Sequence, residues 1–106
     1  MTKAEKIQKI QEILEIKNPK ENLYADLLKT MGDLKNNYGD YMITEPIDCD
    51  EELERIPKAD YELCTALLTM LLREDHFSNG SFERRFAEGQ VLPVLMRMKD
   101  VLIAGV

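Results

Sequence analysis

Residues 73–98 read R-E-D-H-F-S-N-G-S-F-E-R-R-F-A-E-G-Q-V-L-P-V-L-M-R-M. A charged helix end, Arg73 to His76, runs into the turn Ser78-Asn79-Gly80-Ser81. Asn and Gly tolerate left-handed backbone and Ser can cap a new helix, so this turn separates two helices. Phe82 and Phe86, four apart, share one face of a short helix that Gly89 stops. Pro93 suits a helix start, and Val94, Leu95, Met98, Val101 and Leu102 follow it at helical spacing. The stretch is therefore helix, turn, short helix, turn and helix, without a strand signal.

Towards the N-terminus the same grammar continues. Asp60 caps a central helix that runs to about Arg73. Cys64, Leu67, Leu68, Met70, Leu71 and Leu72 leave it only a narrow polar strip of Glu62, Thr65, Thr69 and Arg73. A helix apolar over most of its circumference is buried on several sides, so this helix and the last one form the expected core pair. Asp48-x-x-Glu51 has the form of a capping box opening a short helix that Pro57 ends. Residues 41–47 have β-propensity, but Pro46 and the lack of a partner strand make them an extended connection. Asn18, Pro19 and Glu21 mark the cap, first turn and capping box of another helix. Its stripe is Leu23, Tyr24, Leu27, Leu28, Met31 and Leu34, and residues 36–40 end it. Thr2 and Glu5 open the first helix, whose inner face is Ala4, Ile7, Ile10, Ile13 and Leu14. The predicted fold is all-α, a compact bundle of five to six short helices forming a single domain over residues 1–106.

Charge is placed unevenly. Eight acids (Asp40, Glu45, Asp48, Asp50, Glu51, Glu52, Glu54, Asp60) face only Arg55 and Lys58 in residues 40–60, a balance of -6 that equals the net charge of the chain. A phosphate backbone is repelled by such a segment and a basic protein is attracted, so direct nucleic-acid binding is disfavoured. No apolar run approaches the roughly 20 residues that span a bilayer, and the charged N-terminus has no signal core. Cys49 and Cys64 lack metal-like spacing. Cys64 reads as a small hydrophobe on a buried face and Cys49 as part of an exposed acidic turn. No disulfide, a reduced protein and a cytoplasmic location are expected.

Arg73, Phe77, Gly80, Gly89 and Arg97, with the short helix between the two glycines, carry a resemblance. From Asp60 onward the chain resembles a small bacterial helical domain family of unknown function. His76 stands where that pattern has a basic residue, often Arg. The resemblance implies the fold and brings no activity with it.

Two sites compete. Tyr38, Tyr41, Asp48, Asp50, Glu51 and Glu54 form a candidate partner-binding surface, since Tyr is favoured at interfaces and acids attract a basic partner. Arg73, His76, Asn79 and Arg84, with Arg85 beside them, form the alternative, an anion or small-ligand site at the turn after the central helix. Charged residues at helix ends are commonly solvated or paired with the dipole, which is the plainer account of that cluster. The acidic run lacks the spacing and central Gly of a calcium loop, no Gly-rich phosphate loop or nucleophile elbow is present, and one histidine makes no metal site. No cofactor, metal or catalytic residue is expected. The reading is a non-enzymatic protein–protein interaction module, in its sharper form an acidic inhibitor or decoy of a basic nucleic-acid-binding protein. The alternative is a small-ligand or enzymatic domain at Arg73, His76 and Asn79.

Overall fold

A computed structural model describes residues 1–105. Six α-helices follow in order among the described residues: α1 (Lys3–Glu15), α2 (Glu21–Met31), α3 (Cys49–Leu53), α4 (Tyr61–Phe77), α5 (Ser81–Ala87) and α6 (Leu92–Ile103). Single 3-10 turns, Tyr38–Tyr41 and Ile56–Lys58, flank α3. The described residues contain no strand; Tyr41 closes the 3-10 turn, and 42–47 is a connection, as its sequence implies.

The start of α1 has the expected capping box: the Thr2 hydroxyl accepts from the Glu5 amide and the Glu5 carboxylate from the Thr2 amide, both at 3.1 Å. The start of α2 differs from expectation. Asn18 adopts φ 59°, so it turns the chain ahead of Pro19 and does not cap. Lys20 holds the cap position without a side-chain bond, and the helix begins at Glu21. It also ends earlier than residues 36–40. Gly32 takes φ 74° and closes the helix through the Asp33 amide, which bonds back to Leu28 O at 2.9 Å. Residues 33–36 leave the helix and run along α4, where the Lys35 amide bonds the Thr69 hydroxyl at 3.2 Å. That cover buries Thr65 and Thr69, which therefore belong to no exposed polar strip.

Asp60 caps α4 by accepting from the Leu63 amide at 2.8 Å. The helix continues one turn past Arg73, to Phe77. Its tail is stabilised by Asp75, whose Oδ1 accepts from Gly80 N (3.2 Å) and Phe82 N (3.0 Å) and so ties α4 to the first turn of α5. Gly80 supplies the φ of 89° that this tight turn needs.

α4 is the hub. It packs on α6, α5, α3, α2 and the Tyr38–Tyr41 turn, while α1 packs on α6 and α2. Leu67, Leu68 and Leu71 from α4, Leu95 and Met98 from α6, Ile10 from α1, Leu28 from α2 and Phe82 from α5 have no accessible surface or nearly none, in one continuous cluster. Tyr24 seals it against Phe82, ring centroids 5.0 Å apart. Fully burying each such side chain contributes about 1.5–3 kcal/mol, so the core positions the short helices. α3 and α5 are the two short helices, and their charged residues meet beside α4.

Candidate functional site: an acidic groove beside a buried ion-pair clamp

α3 is amphipathic at helical spacing: Cys49, Leu53 and, one turn beyond, Ile56 turn inward. Glu52 lies on the same stripe and is buried completely, with 0% of its surface exposed. Its Oε2 accepts from the amides of Ile43 (2.9 Å) and Thr44 (2.8 Å) and from the Thr44 hydroxyl. Its Oε1 accepts from Arg55 Nη1 at 2.8 Å, and the same nitrogen reaches Tyr41 O at 2.8 Å. Burial pushes this carboxyl up, and the bonds from Thr44, Arg55 and Ile43 outweigh it and hold it below the usual range. Glu52 is thus a charged peg that fixes the connection 42–47 from inside.

The second buried charge is Arg85, on the stripe that also carries Phe82 and Phe86; it is 8% exposed. Its Nε and Nη2 make a two-pronged contact with Glu74 of α4, at 2.5 and 2.7 Å. Its Nη1 donates to Asp50 of α3 at 2.9 Å and to Gln90 at 3.1 Å, and Gln90 Nε2 in turn donates to Asp50 at 3.3 Å. Bidentate, charge-assisted bonds of this kind are the stronger class. Arg85 holds both Glu74 and Asp50 below the usual carboxylate range, and Glu74 in turn raises Arg85. Cys49 lies beside Glu74; burial pushes its thiol up to about 12, with the Glu74 charge adding to the effect.

Arg85, Glu74, Asp50 and Cys49 line an open groove of about 640 Å³. Its lining includes Glu45, Asp48, Asp50, Glu51 and Glu74, five carboxylates against the single guanidinium of Arg85. Ile47, 40% exposed, lines the groove, and Ile43, 71% exposed, precedes the lining residue Thr44 in the chain.

The six residues of the first candidate site are divided by this geometry. Asp48, Asp50 and Glu51 line the groove together. Asp48 also caps α3, accepting from the Glu51 amide at 3.2 Å as its sequence position implies, while Asp50 is tied to Arg85. Glu54 is exposed at the C-terminal end of α3. Tyr38 and Tyr41 are half-buried, with Tyr38 packed on the core. Of the alternative site, Arg73 donates to Asn36 Oδ1 at 3.1 Å, His76 packs edge-on to Phe77, and Asn79 and Arg84 are exposed. Arg85 faces away from that turn into the clamp. The acidic groove contains none of Arg73, His76, Asn79 and Arg84.

Cys49 is half-buried rather than part of an exposed turn, because α3 turns its sulfur toward Glu74. Both cysteines are free. Sequence reasoning did not find Glu52, Glu74 or the clamp role of Arg85. The available signal was periodicity: each falls on the apolar stripe of its helix.

The fold and groove describe a small all-α domain with an acidic face. The chain belongs to the family of unknown function DUF6508, whose model matches residues 34–103. That span contains every residue of the clamp and groove and extends the earlier resemblance back from Asp60 to Leu34. No curated protein and no solved structure matches the chain. No helix among the described residues is long and apolar enough to cross a membrane.

Proposed function

We propose that the chain is a non-enzymatic interaction module that binds a basic segment of a partner protein along the groove between residues 43–47 and α3. The observation that carries this reading is the lining of the groove, in which five carboxylates surround one arginine already matched by Glu74 and Asp50. A cationic side chain entering there meets uncompensated negative charge. The pinned connection adds to the argument. Glu52 fixes the backbone at Ile43 and Thr44 before any partner arrives, and a preorganised surface loses less entropy on binding. The exposed Ile43 and Ile47 supply apolar contact beside the acids.

Four of the eight acids in residues 40–60 have internal work: Glu52 as a buried partner of Arg55, Asp50 as an exposed partner of the buried Arg85, and Asp48 and Asp60 as helix caps. Asp40, Glu45, Glu51 and Glu54 are exposed and make no ion pair among the described residues. They are the acids available to a partner, and their sign disfavours nucleic acid. An acidic decoy of a nucleic-acid-binding protein is the sharper form of the same reading. A thiol pushed up to about 12 at Cys49 stays protonated near neutral pH, which argues against nucleophilic chemistry in the groove.

The test is a triple charge reversal, Glu45→Lys, Glu51→Lys and Glu54→Lys, which leaves Asp50 in its clamp. Wild type and variant are used as bait in a lysate of the native cell at low and high salt. The wild type should recover a basic protein at low salt only, and the variant should not, with melting curves unchanged. Equal recovery by both baits defeats the reading.

A further inference from the structure

A second groove lies at the C-terminal end of α3, and its chemistry is different. It measures about 410 Å³ and is walled by Leu53, Ile56, Pro57 and Pro93, with Glu54 and Gln90 the only polar side chains that line it. It adjoins the acidic groove: Gln90 belongs to the apolar groove, Asp50 and Arg85 to the acidic one, and all three are hydrogen-bonded to one another. The clamp is therefore the divide between two adjacent recesses, one negative and one apolar. Glu54 stands at the apolar recess and Glu51, one helical turn earlier, at the acidic one. Acids thus border both recesses.

We propose that both recesses are filled by one ligand, a basic amphipathic segment whose Lys or Arg enters the acidic groove while an apolar side chain enters the groove of Leu53, Ile56 and Pro93. This rests on the reading of the acidic groove given above and adds the partner's sequence class. On a helix, side chains three or four residues apart are neighbours, with Cβ atoms about 5–6 Å apart. The two recesses share the Asp50–Arg85–Gln90 layer as their boundary, so one segment that presents a cationic and an apolar side chain as neighbours can reach both. The charge of the walls selects the occupant: an acidic or neutral apolar segment would bring its apolar residue past Glu51 and Glu54 with no compensating attraction.

The experiment is selection of a random 12-residue phage-displayed peptide library on three folded baits. These are the wild type, Glu45→Lys/Glu51→Lys, and Pro57→Trp, which places an indole in the apolar groove without changing charge. The wild type should enrich peptides pairing Lys or Arg with Leu, Ile or Phe three or four positions away. Pro57→Trp should keep the basic preference and lose the apolar one. An enriched set that is basic with no apolar preference, or an apolar preference that Pro57→Trp leaves intact, overturns the proposal and leaves the acidic-groove reading standing. No enrichment above Glu45→Lys/Glu51→Lys overturns both. As a check independent of Pro57, a selected peptide with its apolar residue changed to Ser should bind the wild type roughly tenfold more weakly, the scale set by burying one such side chain. Equal affinities overturn the proposal.

Discussion

Arg85 of α5 and Glu74 of α4 face each other with two parallel N–H···O bonds, Nε to Oε1 at 2.5 Å and Nη2 to Oε2 at 2.7 Å. The arginine is almost wholly buried, so the pair is poorly replaced by water. Removing one member of a buried pair leaves the other charge stranded, whereas replacing both by apolar residues can be nearly neutral. Glu74→Ala should therefore cost about 3 kcal/mol, the low end of the range for such deletions, because Glu74 itself keeps some exposure. The double replacement Glu74→Leu/Arg85→Leu should cost less than Glu74→Ala. Urea midpoints of the three proteins decide it, and a double variant weaker than the single would contradict the account.

Glu52 offers a different test, because its loss acts on a connection rather than on a helix pair. Glu52→Ala removes the acceptor for Ile43 N, Thr44 N and the Thr44 hydroxyl and leaves Arg55 with Tyr41 O alone. Removing the charged acceptor that these part-buried donors share costs about 3 kcal/mol. Cleavage by a nonspecific protease should move to residues 43–47, and the amides of Ile43 and Thr44 should exchange far faster. Unchanged protection of those two amides would mean the connection is held by something else.

Acid should weaken the fold, and the sign follows from the clamp. Arg85 lowers Glu74 from 4.5 and Asp50 from 3.8, and hydrogen bonds outweigh burial to lower Glu52 from 4.5. A carboxyl lowered in the folded state contributes stability that is present above its unfolded value and lost as pH falls through the folded one. Stability should thus be full above roughly pH 5 and decline below roughly pH 4. Glu21 works in the opposite direction: its hydrogen bond with Asp75 raises it, so its contribution is present at low pH and lost as pH rises. Chemical denaturation across this range, on wild type and Glu74→Gln, should show a shallower acid loss in the variant. A wild-type profile flat to pH 3 would contradict the pairing.

The cysteines should behave as two separate thiols. Cys64 is fully buried in α4 and Cys49 half-buried, and burial pushes each up to about 12. Alkylation at pH 7.5 should be slow at Cys49 and should reach Cys64 only when the chain unfolds. Reductant should leave the melting temperature unchanged. A drop of many degrees with reductant would reveal a bridge.

How much of this was legible depends on distance along the chain. Thr2, Asp48 and Asp60 read correctly as caps, because a cap bonds a residue three positions away. Gly32 was legible in principle and was overlooked, since Leu34 continues the apolar spacing after the backbone has turned. The buried charges mark the limit. Leu67, Met70, Leu71 and Glu74 repeat at helical spacing, as do Cys49, Glu52, Leu53 and Ile56, and Phe82, Arg85 and Phe86. Periodicity states that Glu52, Glu74 and Arg85 face inward. It does not state what waits there: Arg85 meets residues 11 and 35 positions away, pairings that only the packed helices determine.

α3 has five residues and α5 seven, each far below the roughly 12–15 at which an isolated helix holds in water. Each persists because its apolar face is in the core, and because Arg85, Asp50 and Gln90 tie one to the other while Glu74 ties α5 to α4. The two should accordingly melt as one cooperative unit, at a lower opening free energy than α4 and with matching amide-exchange rates. Occupancy of the groove would then be felt along the whole of α5, not at its lining residue Arg85 alone. The α5 amides would slow as ligand concentration rises, and α5 would report binding by mass action.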